Sequence, residues 1–255
     1  MSASPSLQNG ILVVTNYNQV KEITNFLARC EQHFPKDQTV VIDDCSTDGS
    51  DKIAEAQGYK VIRHATNSGT GAAIRSGVDY AIGKGASWVI LSSSNGKIRP
   101  EDFKTVYSPI IEQRADYVTG SRFLKNGSSP DLPLFRKVAI PIFSFFARLL
   151  LGRPYSDITC GFRAYILDIF NDPKMKIHQE WLNRYEFEYY VHYRATKAKK
   201  WRIEEVPVTI DYSHLEKGRK SHIQPIKGWW SMIRPIRQRR EALLEYIPLA
   251  LDLQC

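Results

Sequence analysis

The chain has 255 residues, 43% of them hydrophobic and 24% charged, with a net charge of +8. That length supplies a sizeable core, and the composition excludes a disordered or fibrous protein. The positive charge points to an anionic partner: a nucleotide, a phospholipid surface, a phosphorylated acceptor or a nucleic acid.

Met1 to Gly10 is a polar tail without the charged and apolar regions of a leader peptide. Ile11 to Thr15 reads as a buried strand, and Val20, Ile23, Leu27 and Cys30 follow at helical spacing. Thr39 to Ile42 is a second strand, Asp51 to Gln57 a helix, and Tyr59 to Arg63 a third strand. Gly71 to Ile82 is helical, Ser87 to Leu91 a strand, and Pro100 to Gln113 a helix opened by its proline. Tyr117 to Thr119 adds a short strand. This alternation predicts a doubly wound, mostly parallel α/β sheet with helices on both faces.

The second half departs from it. Phe135 to Leu151 is an apolar helix carrying Arg136, Lys137 and Arg148. Val138, Ile142, Phe145, Phe146 and Leu149 form a stripe fitted to a lipid boundary or, equally by pattern, to a protein core. Phe162 to Ile166 reads as a strand, Trp181 to Thr196 as a helix, and Ile203 to Tyr212 as an edge or hairpin strand. No linker divides the chain. The organisation expected is a tail over 1–10, one domain over 11–215, and a basic segment over 216–255 that packs on or closes over the site.

No apolar stretch reaches the roughly 20 residues of a spanning helix. The four cysteines, Cys30, Cys45, Cys160 and Cys255, form no Cys-x-x-Cys pair. A cytoplasmic, membrane-peripheral setting is expected. Trp229 and Trp230 lie among the basic residues from Lys217 to Arg240, so nucleic-acid binding by that segment is a competing reading, without any recognisable module to support it.

Candidate site residues cluster where strands end, because ligands of open α/β sheets bind beyond the carboxyl ends of the strands. Asp43 and Asp44 close the second strand, fitted to accept hydrogen bonds from a nucleoside; a turn with solvated acids is the alternative. Gly69 and Gly71 open a helix whose N–H groups suit a phosphate, with Arg75 beside them, although a tight strand–helix turn also requires glycines. Ser92 to Asn95 leave room for a ligand and Lys97 supplies a cation. Arg122, after Gly120 and Ser121, can fork onto a diphosphate. Asp157 and Arg163 flank an aromatic-rich loop.

In order and spacing these pieces resemble glycosyltransferase family 2, in its dolichyl-phosphate mannose synthase-like branch. The resemblance runs from about Ile11 to about His222 and includes Thr15-Asn16-Tyr17-Asn18-Gln19, Asn95-Gly96-Lys97, Glu186-Phe187-Glu188 and Glu205-Val206-Pro207-Val208. It implies a nucleotide-sugar-binding fold of the A type and an inverting transfer to a polyprenyl phosphate or similar anionic acceptor. Thr15, Tyr17, Gln19, Asp43, Asp44, Gly71, Arg75, Ser93, Ser94 and Asn95 would surround the nucleotide sugar. Arg122 and Lys97 would face the phosphates and Asp157 would be the acceptor-side acid or base. Arg136, Arg163, Arg219, Lys220 and His222 would meet the acceptor. A catalytically inactive nucleotide- or membrane-binding relative, or transfer to a soluble acceptor, is the alternative.

Two departures stand out. The family's Asp-x-Asp metal motif reads Ser93-Ser94-Asn95 here, leaving Asn95 as the one weak candidate ligand. Neutral oxygens compete poorly for a hard dication, so a requirement for magnesium or manganese is open and Lys97 is the candidate substitute. Gln19 stands where the family commonly carries an acid.

Overall fold

The computed structural model describes residues 5–213. The expected cations Arg219, Lys220 and His222, and the basic segment around them, lie outside the described residues.

Seven strands form one sheet: β1 (Gly10–Asn16), β2 (Thr39–Asp43), β3 (Lys60–Arg63), β4 (Trp88–Ser93), β5 (Tyr117–Ser121), β6 (Arg163–Ile166) and β7 (Ile203–Pro207). Their order is β3-β2-β1-β4-β6-β5-β7. Only β6 runs against its neighbours, pairing antiparallel with β4 and β5. The α/β, mostly parallel prediction holds. The sequence reads Ile203 to Tyr212 as one strand, but β7 stops at Pro207, and Thr209 and Ile210 make isolated bridges to Ser128 and Ile98.

Among the described residues six α-helices pack around the sheet: α1 (Ile23–Glu31), α2 (Ser50–Ala56), α3 (Thr70–Gly83), α4 (Phe103–Ile111), α5 (Leu134–Leu151) and α6 (Glu186–Ala198). Side chains alternate across β1, so Ile11 and Val13 pack toward α3 and α6 while Leu12 and Val14 pack toward α1 and α4. Gly77 lets α3 lie flat on β1, since a Cβ there would stand 2.2 Å from Val13. The β-branched strand residues are therefore buried on both faces, as parallel strands under two helical layers require.

Helix α5 has two apolar faces. Ile140, Ser144, Ala147 and Leu151 recur at helical spacing and are buried, with Ser144 Oγ accepting the Ile158 N–H at 3.2 Å. On the other side Leu134 is 77% exposed, Val138 58%, Phe146 56% and Leu149 65%. The lipid-type stripe of the sequence is thus uncovered among the described residues. No helix among them is long and apolar enough to cross a membrane.

Candidate active site

Strand order reverses between β1 and β4, because β2 continues the sheet on one side of β1 and β4 on the other. The crevice created beyond such a switch is the standard ligand position in this architecture. A cleft of about 420 Å³ lies there, lined by Thr15, Tyr17, Gln19, Asp44, Ser93, Asn95, Lys97 and Arg122 among others.

The two acids ending β2 have different jobs. Asp43 is wholly buried and does not line the cleft. It accepts from Asn16 Nδ2 at 2.7 Å and from the Ser46 N–H at 2.9 Å, with Arg63 Nη1 3.7 Å away. Asn16 in turn bonds Ser50 at 2.9 Å and accepts from Ser94 Oγ at 2.6 Å, tying β1, β2 and β4 together. The nucleoside contact read for Asp43 is therefore replaced by a structural one, as it is for Ser94, whose hydroxyl is consumed in this knot. Asp44 lines the cleft. Its oxygens accept the Ser68 and Gly69 N–H groups at 2.8 and 2.7 Å and face His64 Nδ1 at 2.9 Å. These bonds fix its carboxylate before any ligand arrives.

The N–H groups read as a phosphate cradle at the start of α3 are largely taken up within the protein. Two of its N–H groups go to Asp44, and Ala72 N–H goes to Asn183 O at 3.0 Å. Gly71 is a packing residue: an added Cβ would stand 2.1 Å from Leu182 O and 2.3 Å from Arg184 O. Arg75 turns away to Asn183 Oδ1 at 2.7 Å and Ile177 O at 3.3 Å, pinning the loop before α6 to α3.

Beyond β4, Ser93, Asn95 and Lys97 line the cleft. Asn95 Oδ1 accepts the Lys97 N–H at 3.1 Å. No carboxylate stands at these positions, and among the described residues no group of three His, Cys, Asp or Glu side chains is arranged to hold a metal. The residues present do not fit the divalent ion that the Asp-x-Asp motif holds.

Arg122 leaves the end of β5 and enters the cleft wall. Asp157 grips it through Nε at 2.6 Å and Nη2 at 2.8 Å, and Thr159 Oγ1 accepts from Nη2 at 2.6 Å. Burial opposes the charge on Arg122, yet the Asp157 bonds and charge outweigh it and raise the pKa above its ordinary value. Asp157 is 0% exposed and is occupied by Arg122, Thr159 and their backbone N–H groups. It does not reach the cleft as an acid or base; it positions Arg122. Arg163 is likewise corrected: at 1% exposure it donates to Cys160, Glu188 and Ile158 carbonyls, holding the aromatic-rich loop rather than meeting an acceptor. Burial pushes the Cys160 thiol up to about 12, so it lines the cleft as an inert thiol.

Among the lining residues without a role read from the sequence are Glu188 and Tyr212. Glu188 is, besides Asp44, the carboxylate of the cleft wall, set on α6 beside Gly161. The motif around it is visible, but which face of α6 it occupies is set by packing. Tyr212 has no local signature, yet its hydroxyl accepts from Arg122 Nη1 at 3.3 Å and Arg136 Nη1 at 3.4 Å. Arg136, on the first turn of α5, does not itself line the cleft but meets Tyr212, which does.

The sequence and fold agree with known proteins. The model of the family "Glycosyl transferase family 2" matches residues 11–172. An undecaprenyl-phosphate mannosyltransferase of Micrococcus luteus is 26% identical over 83% of this chain and 87% of its own. A UDP-N-acetylglucosamine--dolichyl-phosphate N-acetylglucosaminyltransferase of Methanococcus voltae is 28% identical over 83% of this chain and 89% of its own. Among solved structures, mannosyl-3-phosphoglycerate synthase from Rubrobacter xylanophilus superposes with a TM-score of 0.63 at 16% identity, over 96% of this chain and 78% of its own. The protein belongs to glycosyltransferase family 2, in its dolichyl-phosphate mannose synthase-like branch, and is a glycosyltransferase of the A-type fold with an altered metal motif.

Proposed function

We propose that the protein moves a sugar from a nucleotide diphosphate sugar to a polyprenyl phosphate at the cytoplasmic surface of a membrane, inverting the anomeric carbon. The observation that carries this reading is a cleft lined by Lys97 and Arg122 and linked through Tyr212 to Arg136, on the first turn of helix α5, whose outward face is apolar and exposed. The activities of the relatives, sugar transfer to undecaprenyl or dolichyl phosphate, support it.

The nucleoside would lie against Thr15, Tyr17, Gln19 and Asp44, with the diphosphate directed toward Lys97 and Arg122. Glu188 is suited to accept hydrogen bonds from sugar hydroxyls. A lipid-phosphate oxygen attacks the anomeric carbon as its bond to the diphosphate oxygen breaks, and that electron pair leaves with the nucleoside diphosphate. One displacement from the opposite face inverts the centre. The nucleophile is already anionic, so no base must remove a proton, which agrees with Asp157 being occupied by Arg122. What remains is stabilising charge on the leaving group, an electrostatic task for fixed cations in a water-poor cleft.

Arg136, Lys137 and Arg148 lie on the same helix as the exposed apolar side chains, pairing lipid burial with attraction to anionic headgroups. In flotation, more protein should rise with anionic than neutral vesicles, and Phe145→Ser with Phe146→Ser should reduce recovery. Equal recovery with both vesicle types counts against the membrane assignment. The catalytic reading is tested by incubating labelled nucleotide sugars with polyprenyl phosphate and extracting lipid. Label is expected in the organic phase; label found only on water-soluble products would favour a soluble acceptor.

A further inference from the structure

We infer that Tyr212 is a positioning residue that gathers Lys97, Arg122 and Arg136 into one anion cradle, whose positive charge stands in for the metal that the missing carboxylates would hold. The inference rests on reading this cleft as the diphosphate's site. The three cations come from three separate elements: the loop after β4, the end of β5, and the first turn of α5. They meet at one side chain. The Tyr212 oxygen accepts from both guanidinium groups, at 3.3 and 3.4 Å. Its ring faces Lys97 Nζ at 5.3 Å and the Arg136 guanidinium at 5.9 Å from the centroid.

Three cations drawn to one place repel each other unless something negative separates them. A phenol offers two such features at once: an oxygen with lone pairs between the arginines and a negative ring face toward the lysine. Arg122 spends four of its five N–H donors on Asp157, Thr159 and Tyr212 and keeps one, on Nη1, for an incoming anion, while Arg136 gives one Nη1 donor to Tyr212. The backbone is fastened on both sides. Asp211 N–H donates to Lys97 O at 2.8 Å, and Tyr212 N–H to Pro130 O at 3.1 Å, on the loop leading to α5. Residues 210–212 therefore strap the lysine loop to the arginine helix, with the Ile98–Ile210 bridge alongside. Arg122 has a second anchor in Asp157. Arg136 is the cation whose direction depends most on the tyrosine.

The test is calorimetric binding of inorganic pyrophosphate in excess chelator, for wild type, Tyr212→Phe and Tyr212→Leu, with melting temperatures and turnover of a nucleotide sugar measured beside it. Wild type should bind pyrophosphate without metal. Tyr212→Phe keeps the ring under Lys97 and should bind a few-fold more weakly. Tyr212→Leu loses both features and should bind at least tenfold more weakly. Lys97→Met should be non-additive with Tyr212→Leu. In turnover, kcat should fall more than KM rises. Pyrophosphate affinity in Tyr212→Leu equal to or above wild type overturns the inference. So does equal loss in both variants with a matching fall in melting temperature, which would mark Tyr212 as packing only. If the graded binding appears but no nucleotide sugar is turned over, the cradle stands and the transferase reading falls.

Discussion

The two ends of the cleft are built on opposite plans. At the end proposed for the nucleoside the polar groups are tied to one another by short bonds: Asp43, Asn16, Ser46 and Ser94 in a buried knot beneath it, and Asp44 fixed by two backbone N–H groups and His64. At the phosphate end, cations from distant segments converge on Tyr212 through longer contacts. A nucleoside is a rigid neutral body that rewards a preformed socket. A diphosphate carries the charge that the phosphate end lacks, and its arrival satisfies groups the fold leaves facing one another. On the proposed function, binding and charge stabilisation fall to separately built parts of one cleft.

The sharpest way to break this comparison is to cut the one rigid anchor of the phosphate end. Asp157→Ala leaves Arg122 buried without its partner and should cost about 3–5 kcal/mol of stability, read from urea denaturation. A loss near zero would mean that Arg122 finds water, and that the pair is no anchor.

The comparison within the nucleoside end is tested by its two acids. Asp44→Ala should weaken nucleotide binding by about 1–3 kcal/mol and also lower the melting temperature, since the Ser68 and Gly69 N–H groups lose their acceptor. Asp43→Ala should cost about 1–3 kcal/mol of stability, because Asn16 and Ser46 donors are left unmatched in the interior, with nucleotide affinity of the folded protein little changed. Loss of affinity in both variants with stability unchanged would restore Asp43 to the ligand.

The smallest effect concerns the interior at the start of β5, the opposite end of that strand from Arg122. Burial, reinforced by the charge of Arg163, holds His192 well below its ordinary pKa of 6.5, and Nδ1 pairs with Tyr117 Oη at 2.6 Å. A base with a depressed folded pKa binds a proton only on unfolding, so stability is present above pH 6.5 and lost as pH falls below it. The slope from this one group approaches about 1.4 kcal/mol per pH unit. His192→Gln should flatten the acid limb of the stability curve; an unchanged slope would place the effect on other groups.

Strand and helix order could be read from the sequence because β-branched runs and helical spacing are local signals, and Asp44, Lys97 and Arg122 could be read because strand ends in this architecture face the ligand. Asp43 could not be told from Asp44, since one step along a strand exchanges cleft for interior. Asp157 and Arg163 look like site residues because acids and arginines are costly to bury, but their partners, 35 residues away for Asp157 and the surrounding carbonyls for Arg163, appear only on folding. Tyr212 was invisible for the same reason, its partners lying 90 and 76 residues away. The apolar stripe of α5 reads alike for core and lipid, and only the packing of Ile140, Ser144, Ala147 and Leu151 shows which face is spent inside.

The central claim is that fixed cations do the work of a metal. The measurement that tests it most directly is sugar transfer to polyprenyl phosphate after exhaustive chelation, with Lys97→Met run in parallel. The account predicts that chelated wild type keeps most of its turnover while Lys97→Met loses at least about tenfold, roughly 1.4 kcal/mol of transition-state stabilisation. Turnover abolished by chelation and left near wild type by Lys97→Met would contradict it.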